Sequence, residues 1–434
     1  VFTGRIPYVW ISNNFANTGI QMSKYNVYNP KGLNLIFDPN KQLDNADKLK
    51  ASTGNQEINV FADNFKFTQT LKFNLGFDFK ALGIDWTAEA IYSKTLNDIY
   101  YKNLAIEETG RTFGQETGYT WDNRPMFEQT TKGTPYAYVY GLYNTNKGYT
   151  VNLSLKAEKH FNFGLDLMAS YTWTRSMSVN SGTSSVAGSN WMFNTTYRNP
   201  NDPELGFSAY NVPHRIQASA YYHIGYGARK QWQTTVGVIY QGRSGSPYVI
   251  EMYGDMNNDG ARGNDIMFIP TDAQIDQMHF APTTVNNSKN TYPLITKVLG
   301  TNYSGNLTED QQRALLKQWI ADDSYMSKHR GEYFKRYADN LAFEHHFDVH
   351  FAQKYSFKVG GQINSLELSF DIINIGNLLN KDWGHTYGDG FGRYFSPFND
   401  EGDGLFKFDG THVNRDYDSY NSRWRGQIGL RYTF

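Results

Sequence analysis

The stretch GQIGLRYTF, residues 426–434, decides how the chain is read. Stepping back from its end two at a time gives Phe434, Tyr432, Leu430 and Ile428, all apolar or aromatic. Between them stand Thr433, Arg431, Gly429 and Gln427, which are small, polar or charged. A period of two marks a β-strand with one dry face and one wet face. In a soluble sandwich the dry face meets a core. In an outer-membrane barrel it meets lipid, and the wet face lines a polar lumen.

Eight earlier segments alternate in the same way. NSLELSFDIIN sets Leu366, Leu368, Phe370 and Ile372 against Glu367, Ser369 and Asp371. AFEHHFDVHFAQKYSF sets Phe343, Phe347, Val349 and Phe351 against Glu344, His346, Asp348 and His350. WQTTVGVIY, RIQASAYYHI, FGLDLMASYTW, YTVNLSLKAE, IDWTAEAIY and LKFNLGFDF complete the series. Most run to about ten residues, the length that crosses a tilted outer-membrane band.

The connections discriminate better than the strands. Short turns fall at 81–83, 160–162, 225–231 and 358–365. Long connections fall at about 99–147, 176–212, 244–340 and 377–420, with a further outer segment over about 1–65. Short and long alternate throughout. A sandwich has no reason to send every long loop to one end, whereas a membrane barrel has short periplasmic turns and long outer loops.

The bulk numbers agree. A chain of 434 residues suffices for two or three soluble domains or for one large barrel. With 41 Lys+Arg against 42 Asp+Glu, nothing attracts nucleic acid. There is no Cys, so disulfide staples and thiolate metal sites are excluded. No apolar run approaches the ~18–20 residues of a membrane helix. A mean hydropathy of −0.61 remains compatible with a barrel, because only alternate residues meet lipid.

The expectation is therefore an all-β, transmembrane antiparallel β-barrel in the bacterial outer membrane, with outer-membrane lipid as its first partner. About nine strands are an odd count, and bacterial barrels close with an even one. Residues 1–10, VFTGRIPYVW, lack the basic start, apolar stretch and small-residue cleavage site of a secretion signal, and VFTGR fits the outer end of an upward strand. Residues 1–434 are expected to be the C-terminal part of a single barrel domain, with the remaining strands supplied by a preceding segment.

Several stretches resemble TonB-dependent outer-membrane receptors of the Oar-like kind, which carry a carboxypeptidase-regulatory-like domain. They include VFTGRIPYVWISNNFANTG, FKFTQTLKFNLGFDFK, AIYSKTLNDIYYKNL, HRIQASAYYHIGYG, YQGRSGSPYVIEMYGDMNNDG, YMSKHRGEYFKRYADN, FDIINIGNLLNKDWG and RWRGQIGLRYTF. The likeness spans nearly the whole chain. It implies ~22-stranded barrels filled by an N-terminal plug and energised through a periplasmic TonB box. The strands seen here would be the last nine, with plug and TonB box outside this chain. It also implies that Ile428, Leu430, Tyr432 and Phe434 form the signal read by the barrel-assembly machinery; a plain lipid-facing strand end is the compatible alternative.

GDMNNDGARGND places Asp255, Asn257 and Asp259 at alternate positions, then Gly260 and Asp265. D-x-N-x-D-G can bring several oxygens around calcium, with Gly at the sharp turn. Position twelve is Ile266 rather than Glu, and the alternative is an Asx-rich turn that holds itself. His346, Asp348 and His350 share a strand face, either as a transition-metal site or as hydrated lumen lining. NLTEDQQRALLKQWIADD carries a capping box, Thr308 with Gln311, ahead of Leu315, Leu316, Trp319 and Ile320 at helical spacing. This predicts a helix that stiffens the longest loop or offers a docking face for a substrate or a surface-lipoprotein lid. WDNRPMFEQ, SNWMFNTTYRNPNDP and DGFGRYFSPFNDEGDG mix aromatics with amides, a composition suited to peptides and glycans but common to long ordered loops.

No nucleophile elbow, phosphate loop or HExxH motif is present, so no enzyme is expected. The leading expectation is nutrient import (a peptide, glycan or chelate), with energy delivered by the TonB complex through the preceding segment. A porin or adhesin-like surface barrel is the rival within the membrane, and a secreted glycan-binding β protein the rival outside it.

Overall fold

The computed structural model describes Asp38 and residues 56–434, apart from Gly133, Pro135, Thr183, residues 389–393, Glu401, Asp403, His412 and residues 414–417. VFTGR and most of the expected outer segment over 1–65 lie outside the described residues.

Each alternating segment becomes a long strand. They are β1 (Gln69–Ala81), β2 (Ile84–Asn103), β3 (Tyr149–His160), β4 (Leu165–Ser178) and β5 (His214–Tyr226). After them come β6 (Trp232–Arg243), β7 (Glu344–Val359), β8 (Gln362–Ile373) and β9 (Arg425–Thr433). Each pairs antiparallel with its neighbours in chain order. Among the described residues β1 pairs only with β2 and β9 only with β8, so the sheet is not closed.

Directly paired residues share a face, so the register can be read as rungs. One rung runs Phe79, Trp86, Ala157, Ala169, Ala218, Tyr240, Phe347 from β1 to β7. Near the other edge Leu368 faces Leu430, and Phe351 and Ile428 flank Phe370. This face leaves Leu75 74%, Leu368 53%, Ile428 74% and Leu430 71% exposed. Large apolar side chains uncovered at that density, on strands fully paired within, match a surface made for lipid. Ile428, Leu430, Tyr432 and Phe434 belong to the same stripe.

The tightest short turns adopt positive φ. Leu82 and Gly83 join β1 to β2 with φ of 57° and 70°. Gly360 and Gly361 join β7 to β8 with φ of 56° and 90°. Two-residue hairpin turns with both φ positive match the twist of the strands they join.

The long connections depart from the expectation of loops. The span expected at about 99–147 begins and ends as strand. β2 continues to Asn103, and Tyr136–Thr145 pairs with Asp98–Asn103, so the β2/β3 wall is prolonged beyond the connection at 146–148. Gln56–Phe61 then lies parallel to Tyr136–Leu142, where β4 pairs with β3 lower down. Alternation in YAYVYGLYNT sets this: Tyr140 and Leu142 are buried, with Ile99 and Tyr101 in the same cluster.

Together the long connections build a cap with a core of its own. Tyr248, Val249, Ile250, Ile266, Met267, Ile269, Phe334 and Phe408 are all essentially inaccessible. Its five-stranded sheet runs in the order 279–280, 405–407, 394–400, 247–253, 339–340, drawn from two of the connections. Helix α1 (Glu309–Asp322) has the expected capping box: the Gln311 amide N–H donates to Thr308 Oγ1 at 3.2 Å, and the Thr308 N–H to Gln311 Oε1 at 2.9 Å. Leu315, Leu316, Trp319 and Ile320 are buried in the cap, so the helix stiffens its segment and its apolar face is not free to dock a lid or substrate.

The faces yield a direct test. A Lys near the bilayer midplane of the lipid face costs roughly 2–4 kcal/mol, and a lumen position tolerates charge. Leu368→Lys is expected to lower barrel stability strongly, and Ser369→Lys, one residue on, only slightly. Heat-modifiable gel mobility of the outer-membrane protein measures the ranking; a reversed order would shift the register of β8 by one residue.

Candidate functional site

The cap is tied together by one buried cation. Arg124 is fully buried within a loop and reaches three groups. Its Nε donates to Asp122 Oδ1 at 3.0 Å, Nη1 to Asp265 Oδ1 at 3.0 Å, and Nη2 to the carbonyl of Ile266 at 3.0 Å. Tyr333 donates its hydroxyl to Asp122 Oδ1 at 2.7 Å and stacks on Tyr197, with ring centroids 4.0 Å apart. Burial alone would make Arg124 easier to deprotonate, but Asp122 and Asp265 outweigh it and hold its pKa above the ordinary arginine value. Three long connections meet here, through Arg124, through Tyr197, and through Asp265 with Tyr333.

The Asp-rich loop lies beside that knot. Asp255 Oδ1 accepts the Asp259 N–H at 3.0 Å, and Asn257 Oδ1 accepts the same N–H at 3.1 Å. Gly260, at φ 88°, donates to Asp255 Oδ2 at 2.9 Å. Asp259 is wholly buried; its Oδ1 accepts the Ala261 N–H at 2.7 Å and its Oδ2 accepts Asn264 Nδ2 at 2.6 Å. Asp265, grouped with these by sequence, is instead engaged on both oxygens, by Arg124 and by the Met256 N–H at 2.9 Å. Burial, and after it the Asp265 charge, pushes Asp255 up to about 6 and Asp259 well above the usual carboxylate range.

The polar face of the sheet carries a rung of ionisable groups. His160, Asp166, Tyr221, Gly237, His350 and Asp371 stand opposite one another across six consecutive strands, β3 to β8. Asp166 meets His160 at 2.8 Å and His223 at 3.2 Å. His350 Nδ1 meets Asp371 Oδ1 at 2.6 Å. Between these pairs the Tyr221 ring approaches His350 edge-on, centroids 6.1 Å apart. The ring crosses Gly237, where a Cβ would stand 2.4 Å from Tyr221 Cε1. The expected grouping of His346, Asp348 and His350 is instead divided among separate partners. His346 Nε2 lies 3.2 Å from Thr386 Oγ1, and Asp348 Oδ1 accepts the Asn374 N–H at 2.7 Å. Among the described residues no three His, Asp or Glu side chains form a metal cage.

A polar recess of about 450 Å³ opens beside the prolonged β2/β3 wall, lined by Asn97, Tyr100, Asn144, Asn146, Lys147 and Asp202 among others. Lys102 Nζ sits 5.0 Å from the Tyr143 ring centroid nearby. Of these, sequence reasoning singled out only the loop that carries Asp202; the convergence depends on the register of 136–145 against β2. Conversely, Trp191, Met126 and Phe127, in two of the aromatic-rich loops, are buried in the cap.

A family model described as an outer membrane beta barrel domain matches residues 3–380. No curated protein matches the chain. Among solved structures, the outer membrane transporter YddB from Escherichia coli is similar with a TM-score of 0.34 and 12% identity, over 80% of this chain and 33% of that one. The chain thus spans about a third of that protein's length.

Two substitutions probe these arrangements. Arg124→Met leaves Asp122 and Asp265 buried without their cation, a change of about 3–5 kcal/mol; limited proteolysis should open the cap while the heat-modifiable barrel band persists. Gly237→Val drives a side chain into Tyr221 and should cost about 1–3 kcal/mol. Thermal unfolding should show that loss, and Tyr221→Ser in the same chain should restore most of it; no rescue would mean that the ring does not cross Gly237.

Proposed function

Because the chain belongs to the outer membrane beta barrel domain family, we propose that it is the C-terminal part of a TonB-dependent outer-membrane transporter that imports a nutrient. The chain is part of a bacterial outer-membrane β-barrel. The observation that carries the transport reading is the cap: the long connections pack around a buried core of their own. A passive porin needs a continuous wet channel. A packed cap fits an occluded path that opens only when energy is supplied.

The preceding strands, of ~22 in all, would close the sheet, and a plug would fill the lumen against the ionisable face. The TonB complex would act through that plug. The stripe Ile428, Leu430, Tyr432 and Phe434 would be presented to the assembly machinery. The recess supports a ligand class: Tyr100 contributes an aromatic ring, Asn97 and Asn146 contribute amides, and Lys147 and Asp202 opposite charges. That set suits a peptide or glycan better than a bare ion. The protein would bind and admit its ligand without chemical change.

Uptake by cells carrying the full-length protein separates the readings. Labelled oligopeptides and oligosaccharides are supplied with and without a protonophore. Accumulation that depends on the protein and collapses with the protonophore is expected. Entry that persists without the proton gradient would instead establish a porin. Surface binding with no entry under either condition would establish an adhesin.

A further inference from the structure

The geometry points to a calcium-class cation bound in the cap by Asp255, Asn257, Asp259 and Asn264. Two observations carry it independently. The first is charge. Asp259 is wholly buried and forms no ion pair among the described residues, and Arg124, the buried cation of the neighbouring knot, is shared by Asp122 and Asp265. A buried carboxylate without a cation is costly, and such groups are found paired or on metals.

The second observation is an orphaned acceptor. Asn264 is 1% exposed, and its Oδ1 has no hydrogen-bond partner. Its Nδ2 lies on Asp259 Oδ2, so the same planar amide holds that unused oxygen at the edge of the cluster. An unsatisfied buried oxygen is destabilising, and a cation ligated by Oδ1 would remove that cost. Asp255 Oδ1 and Asn257 Oδ1 converge, since both accept one N–H, and each retains a lone pair.

The donor set identifies the ion class. Among the described residues no three acidic or imidazole side chains are arranged to hold a metal, which disfavours zinc and its relatives. Carboxylate and amide oxygens, completed by main-chain carbonyls and water, suit calcium, which takes about 6–8 oxygens in flexible geometry. The cation would join the 255–264 loop into one unit beside the Arg124 knot. That loop is already seated, with the Asn257 carbonyl accepting the Phe127 N–H at 2.8 Å.

Calcium content and cap proteolysis of the full-length protein in detergent provide the test. Wild-type protein and Asp255→Asn/Asp259→Asn are equilibrated with CaCl2, desalted and assayed for metal. The variant should retain one calcium fewer per chain. Calcium should slow cleavage of the wild-type cap, EGTA should reverse this, and the variant should not respond to either. Saturable calcium equal in both proteins would overturn the proposal. So would wild-type proteolysis indifferent to calcium, a result that needs no variant to fold. A self-held turn predicts that the variant is cleaved faster than wild type by the same factor with and without calcium, and that outcome also overturns it. Asn264→Ala, which removes one neutral ligand, should weaken calcium retention without abolishing folding.

Discussion

Hydrocarbon offers no hydrogen bonds, so every backbone N–H and C=O that crosses it must find a partner in the next strand. This constraint organises the rest of the molecule. It demands strands of sufficient length, paired along that length, and chain-order antiparallel pairing meets the demand with the shortest turns. Once β1 to β9 pair in register, the two faces are fixed together, because a slip of one residue would exchange Leu430 with Arg431 and every neighbour with them. The turns at Leu82–Gly83 and Gly360–Gly361 accept positive φ because the twist of the hairpins requires it.

The same pairing sends the long connections to the other end, where water is available and a soluble kind of packing can begin. There the chain changes physics. The wall is held by backbone pairing with its apolar residues outward; the cap is held by apolar residues turned inward around Tyr248, Ile266, Leu315 and Phe334. The two are continuous through β2, whose lower part carries Trp86 on the lipid face and whose upper part buries Ile99 and Tyr101 in the cap. Side chains tie the far side. Arg336 donates to the carbonyls of Ser178 and Val179, at and just beyond the end of β4, and Arg243 on β6 pairs with buried Glu344 at the start of β7 at 2.7 Å.

What could be read from the sequence follows this division. Alternation is a local signal, so each long strand and short turn could be seen in the residues themselves, as could the capped helix, whose Thr308 and Gln311 stand three apart. The cap core could not. Short strands such as 279–280 and 405–407 are too brief to show a period, and their pairing joins positions more than a hundred residues apart. Arg124 looked like one more polar residue in an aromatic loop, because its partners Asp265 and Tyr333 lie far along the chain. Asp265 shows the same limit: its spacing suits the Asp-rich loop, and the engagement of its carboxylate by Arg124 depends on a residue far along the chain. The ionisable rung was visible only in single members, His350 on one strand and Asp371 on the next, since its axis runs across strands.

That rung shows how the wet face is specified. Glycine within a strand gives up about 0.5–1 kcal/mol against alanine, so Gly237 calls for a reason. The Tyr221 ring supplies it by lying across β6 to reach His350 on β7, two strands away. Without the missing side chain at Gly237, the His160–Asp166–His223 group and the His350–Asp371 pair would be separate features of the wall. With it, Tyr221 bridges them, and the contacts follow one rung of paired residues from His160, at the short-turn end of β3, to Asp371, near the opposite end of β8. A rung set square to the strands climbs the wall wherever the strands tilt, so the wet face is specified along a slanted line of cross-strand partners rather than along any one strand.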